Sequence, residues 1–163
     1  MDSIHHTNIA DASESSPRSL YFVLIEDNEG DILLTREALD EAGVPYSLRV
    51  LRDGEKAMTF LTEIAGTSQK PFPDLVLLDI NLPKLDGHEL LRFIKQHERL
   101  KQIPVVMFTT SEAQKDIAKA YRNHANCYIT KPAEAEDYMA VLKQTEYFWG
   151  AMCQLPHTRH RSS

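Results

Sequence analysis

Leu75, Val76, Leu77 and Leu78 form an unbroken apolar run that ends on a carboxylate, Asp79, with turn residues at Pro83, Asp86 and Gly87 close behind. A short apolar run between turn signals reads as a strand buried on both faces, as in a parallel sheet. An unpaired charge is expensive to bury, so Asp79 must emerge at the end of its strand or meet a cation. The rest of the chain fits the same scheme. Strand-like segments at 20–25, 46–51, 74–79, 103–109 and 127–130 alternate with helix-like ones. The second alternates weakly, as an edge strand does, and the fourth is entered through Pro104.

The helices are legible from their apolar faces and their stops. One runs from Ile32 to Ala42 and is ended by Gly43 and Pro45. Asp53 can cap the next, in which Ala57, Phe60, Leu61, Ile64 and Ala65 repeat at i, i+3, i+4, i+7 and i+8. A polar loop follows over 66–73. Leu90, Leu91 and Ile94 mark the third helix, and Ile117, Ala120 and Tyr121 the fourth. Tyr138, Val141, Leu142, Thr145 and Phe148 mark the last. Repeated β-α units without interruption point to an α/β fold, a parallel sheet with helices on both faces.

A chain of 163 residues suits one domain with a sizeable core. Residues 1–18 read as a disordered arm, 19–149 as the folded domain and 150–163 as a C-terminal extension. The net charge of −6 tells against a nucleic-acid surface. No apolar run spans a membrane and no signal peptide is apparent, so a cytoplasmic location is expected. Cys127 and Cys153 lack metal-ligand spacing, and Cys127 reads as a reduced core residue. His5, His6, His88, His97, His124, His157 and His160 form no ligand cluster and are assigned no role.

In open parallel sheets, ligands bind beyond the carboxyl ends of the strands. Those ends carry Glu26 and Asp27, then Asp79, then Thr109, Thr110 and Ser111, then Lys131 and Pro132. Gathered carboxylates repel one another, and a hard cation such as Mg²⁺ relieves this through oxygen ligands. A carboxylate beside such an ion can attack phosphorus, giving an acyl phosphate. Lys131 and Thr109 supply an ammonium and a hydroxyl for the phosphoryl oxygens.

At these positions the chain resembles the receiver domains of two-component response regulators, over roughly Leu20 to Phe148. The resemblance rests on Glu26, Asp27 and Asn28 after the first strand, and on Asp79 with Pro83, Asp86 and Gly87 after the third. It rests also on Phe108, Thr109 and Thr110, and on Tyr128, Thr130, Lys131 and Pro132. It implies a flavodoxin-like (βα)5 doubly wound sheet of strand order 2-1-3-4-5. It makes Asp79 the phospho-acceptor, and Asp27, Asp79 and the Asn81 carbonyl the Mg²⁺ ligands, with Glu26 acting through water. Thr109 and Lys131 would meet the phosphoryl group, Tyr128 would swing inward as Thr109 moves, and the Lys131–Pro132 bond would be cis. Glu26 stands where Asp is commoner.

Few residues follow the last helix, so a stand-alone regulator signalling through protein contact is expected, with a sensor histidine kinase as donor. The stretch Ile25 to Asp31, the loop 66–73 and the ending Phe148 to Pro156 resemble regulators paired with bacterial phytochrome kinases. Tyr147, Phe148, Trp149, Met152 and Leu155 either fold onto the core or form a patch covered by a second copy. The resemblance favours a dimer through the fourth helix, fifth strand and fifth helix. A phosphorelay intermediate or a phosphate sink is an alternative within the same chemistry. A haloacid-dehalogenase-like phosphatase fits poorly, because Asn81 occupies the place of its second catalytic Asp. An unphosphorylated scaffold would not need Asp27, Asp79, Thr109 and Lys131 together.

Overall fold

A computed structural model describes residues 19–156. The expected arm at 1–18 and the residues 157–163 lie outside the described residues. Five strands, β1 (Leu20–Ile25), β2 (Tyr46–Leu51), β3 (Leu75–Leu78), β4 (Val105–Thr109) and β5 (Cys127–Thr130), pair in parallel in the order β2-β1-β3-β4-β5. Five α-helices alternate with them: α1 (Glu29–Ala42), α2 (Gly54–Ala65), α3 (Gly87–Gln96), α4 (Gln114–Arg122) and α5 (Ala135–Tyr147). This is the flavodoxin-like order expected.

Side chains alternate across the central strands, so each strand feeds two cores. Val23, Ile25, Val76, Leu78, Val105 and Met107 pack with Leu61 and Ile64 of α2, Leu90, Leu91 and Ile94 of α3, and Ala120 of α4. Phe22, Leu24, Leu75, Leu77, Val106 and Phe108 pack on the other face with Ile32 and Leu39 of α1 and with Tyr138 and Leu142 of α5. Register aligns the strand ends: Ile25 lies beside Leu51 and Leu78, Leu78 beside Met107, and Thr109 beside Thr130.

Asn28, Asp53 and Asp86 cap α1, α2 and α3, accepting the backbone N–H of Asp31, Lys56 and His88. The cap explains why α1 starts at Glu29 rather than Ile32: its first turn is polar, so the apolar pattern alone does not reveal it. The third strand excludes Asp74, whose carboxylate accepts the Tyr21 N–H at 2.9 Å. Tyr121 is half-exposed instead of facing the core, and Cys127 is a free, half-buried edge-strand residue. No cis peptide bond occurs among the described residues, so the expected cis Lys131–Pro132 bond is not found. Trans is the isomer that X–Pro bonds favour by about 0.5–1 kcal/mol, and Lys131 reaches its carboxylate partners with it.

Beyond α5 the chain makes one π-helical turn, Phe148–Met152, so the boundary expected at 149/150 falls inside a turn. The apolar ending divides between the two readings. Trp149 and Leu155 pack against the α1/α5 core, while Tyr147, Phe148 and Met152 are exposed.

Candidate functional site

Parallel register delivers Glu26, Asp79, Thr109 and Lys131 to the carboxyl-terminal end of the sheet. Glu26, Asp27 and Asp79 each offer an oxygen, and these oxygens all lie within 4.8 Å of one another. Glu26 and Asp79 are buried; Asp27 is exposed. The loop carrying Asp79 is pinned from beneath: a Cβ at Gly87 would sit 2.0 Å from the Asp79 carbonyl oxygen. The loop between β3 and α3 thus crosses the start of α3 where only a glycine fits. Asn81 lies exposed in that loop, two residues after Asp79.

Lys131 is the cation of the cluster. Its buried ammonium donates to Asp31 Oδ2 at 2.9 Å, to Asp79 Oδ2 at 3.1 Å and to Glu26 Oε2. It also lies 5.9 Å from the centroid of the Phe108 ring. Burial alone would lower its pKa; the hydrogen bonds it donates to Asp31 and Glu26 and the charge of Asp79 outweigh this and raise it well above the usual lysine value. The Glu26 carboxyl also shifts upward. Burial raises it to about 7, against the pull of Lys131.

Asp79 Oδ1 is buried and has no hydrogen-bond partner. A buried carboxylate oxygen left alone is costly, and here it sits in a cluster of oxygen donors. Hard-cation chemistry fits this donor set, because Mg²⁺ takes one or two carboxylates together with waters and phosphate oxygens.

Thr109 is buried at the end of β4, and its hydroxyl accepts the Ser111 N–H at 3.4 Å. The Tyr128 hydroxyl donates to the Ser111 carbonyl at 2.8 Å, tying the half-buried ring to the loop after β4. The Ser111 hydroxyl in turn donates to Asp116 Oδ2 at 2.6 Å, and Asp116 Oδ1 lies 3.2 Å from His88 Nε2. The loop between β4 and α4 is therefore linked to the start of α3, next to the Asp79 loop.

Two parts of this arrangement escaped the reading of the sequence. His88 is one, since one histidine on a helix gives no signal of its partner 28 residues later. Asp31 shows no separate signal in the sequence. Its spacing from Asn28 resembles helix capping, which hides a charge partner 100 residues away.

The model of the response regulator receiver domain matches residues 22–143. The chain belongs to the response regulator receiver family. This receiver is 41% identical over 145 residues to the response regulator Rcp1 of Synechocystis sp. (strain ATCC 27184 / PCC 6803 / Kazusa), covering 89% of this chain and 98% of that protein. Among solved structures, the phosphorylated cyanobacterial phytochrome response regulator RcpA matches with a TM-score of 0.80 and 42% identity, over 85% of this chain and 99% of RcpA. The Mn²⁺-bound form of Rcp1 matches with a TM-score of 0.78 and 41% identity, over 84% of this chain and 99% of that one. The receiver thus resembles single-domain, phytochrome-associated response regulators.

Proposed function

We propose that this receiver takes a phosphoryl group from the phosphohistidine of a sensor histidine kinase onto Asp79 and signals through an altered protein-binding face. The observation that carries the reading is the buried, unpartnered Asp79 Oδ1 among the Glu26 and Asp27 oxygens, with Lys131 held alongside. Mg²⁺ fits this donor set: Asp27, Asp79 and the Asn81 carbonyl would hold it directly and Glu26 through water, and it would screen the charge of the phosphoryl oxygens.

An Asp79 oxygen forms the new O–P bond as the donor's N–P bond breaks, and the N–P electron pair remains on the imidazole nitrogen. The product carries roughly −1.5 to −2 charges where the carboxylate carried one, the charge ordinarily added by a phosphoryl group. Lys131 turns its ammonium to the new oxygens. Thr109 leaves the Ser111 N–H and donates its hydroxyl to the phosphoryl group, and Tyr128 leaves the Ser111 carbonyl to fill the space. The face of α4, β5 and α5 is the two-state element that this change biases. Water hydrolyses the acyl phosphate to end the signal. With Asn81 in place of a second catalytic Asp, the chain acts as a phosphorylated regulator and not as a turnover enzyme.

We divide the chain into a receiver domain over 19–149 and a C-terminal extension over 150–163, with Trp149 and Leu155 packing the start of the extension onto the domain. A second copy pairs through α4, β5, α5 and the extension. Support comes from exposed Tyr121, Tyr147, Phe148 and Met152, and from a groove of about 450 Å³ lined by Cys127, Ile129, Val141, Phe148 and Trp149. The charge of −6 makes nucleic acid a poor partner. No helix among the described residues is long and apolar enough to cross a membrane, consistent with a cytoplasmic regulator.

A phytochrome histidine kinase is the donor that the similarity to RcpA favours. In a transfer assay against a panel of purified phosphorylated kinases, a phytochrome kinase should load the wild type fastest and leave Asp79→Asn unlabelled. Faster loading by an unrelated kinase would overturn that partnership.

A further inference from the structure

Lys131 is shared among three carboxylates whose tasks differ. Glu26 and Asp79 belong to the group of oxygens that converge within 4.8 Å; Asp31 does not. Asp31 is nevertheless one of the ammonium's partners, at 2.9 Å, and its side chain is only 23% exposed.

Local structure frees Asp31 for this task. It stands three residues after the Asn28 cap, where an acidic side chain ordinarily reaches back to the N–H of the cap residue. Here Glu26 Oε1 accepts the Asn28 N–H at 3.0 Å. The Asp31 backbone is fixed on both sides. Its N–H donates to Asn28 Oδ1 at 2.9 Å, and its carbonyl accepts the Thr35 hydroxyl at 2.8 Å and the Tyr138 hydroxyl at 3.4 Å. The carboxylate is thus presented to Lys131 from a rigid first turn of α1.

We propose that Asp31 is a positioning residue that draws Lys131 away from the metal ligands, so that Glu26 and Asp79 can turn to the cation while the ammonium stays in the site. The inference rests on the function proposed above. Without Asp31, the ammonium has only Glu26 and Asp79 as partners and competes with a cation for their oxygens. With Asp31, the ammonium keeps an anionic partner outside the group of converging oxygens when Glu26 and Asp79 turn to the cation.

Calorimetric titration of Mg²⁺ into the full chain tests this. Asp31→Asn keeps the size of the side chain and removes its charge. It should weaken Mg²⁺ binding by roughly fivefold, as expected when a charged hydrogen-bond partner is lost in a partly buried site. Asp31→Glu should recover most of the loss. Glu29→Gln removes the same charge from the same turn, but its partner is Arg52, so it should change binding less than about twofold, as exposed charges do. In a Lys131→Met background the effect of Asp31→Asn should also drop below about twofold, because coupled groups lose their mutual effect when one is absent. An equal loss in both backgrounds would overturn the inference while leaving the metal site intact. A wild type that binds no Mg²⁺ would instead overturn the proposed function, and this inference with it.

Discussion

Glu26 and Lys131 show how one buried pair can hold both its protons more tightly, the carboxyl through burial and the ammonium through its carboxylate partners. Burial raises the Glu26 carboxyl from 4.5 to about 7, whereas its carboxylate partners keep Lys131 charged. A carboxyl whose folded value lies above its unfolded value binds more protons when folded, so its contribution to stability falls as pH rises from 4.5 through about 7. Thermal melts of the metal-free protein should therefore show wild type losing stability relative to Glu26→Gln across that window. Saturating Mg²⁺ should reduce the loss, because a cation favours the ionised form. Parallel melting curves for the two proteins at every pH would contradict this assignment. At this scale the positions of Glu26, Asp27, Asp79, Thr109 and Lys131 at the strand ends were legible in the sequence, because strand ends are predictable once the strands are. It could not identify Asp31 or the chain from His88 through Asp116 to Ser111, since those pairings depend on how helices face one another.

The elements fix the geometry that these side chains need. The loop between β3 and α3 lies so close to α3 that a Cβ at Gly87 would meet the Asp79 carbonyl oxygen at 2.0 Å and the Ile80 Cα at 2.8 Å. Both neighbours are backbone, so neither yields as a side chain would. Gly87→Ala should cost roughly 1–3 kcal/mol, the range for overpacking, and should weaken Mg²⁺ binding by moving Asp79. Gly66→Ala, where a Cβ would find its nearest neighbours at 3.4 and 3.7 Å, serves as the tolerant comparison. Chemical denaturation checks the first claim and metal titration the second; equal stability of the two variants would refute it. Element types and order were legible because the apolar runs and the stripe on α2 are clean. Ends were less so. The polar first turn of α1 is announced only by Asn28, and the chain after α5 continues as a π-helical turn that has no distinct apolar period.

Across the whole molecule, the site and the proposed output face lie on connected elements. Thr109 ends β4, Tyr128 lies on β5, and both hydrogen-bond to Ser111 in the loop that leads to α4. The exposed Tyr147, Phe148 and Met152 extend the apolar surface beyond α5. Sedimentation should show a dimer in the wild type that is weakened in a Phe148→Ala, Met152→Ala double variant, since large apolar side chains dominate such interfaces. A wild-type monomer at high micromolar concentration would refute the pairing. The ending could be read in the sequence only as two alternatives, because composition does not say which apolar residues face inward; Trp149 and Leu155 do, and the other three do not. The central claim is that Asp79 accepts phosphate with the help of a divalent cation. The most direct test is incubation of purified protein with acetyl phosphate, with and without Mg²⁺, beside Asp79→Asn, read on a phosphate-affinity gel. The account predicts a retarded band that needs Mg²⁺ and is absent from the variant. A band of equal strength in Asp79→Asn, or one indifferent to Mg²⁺, would contradict it.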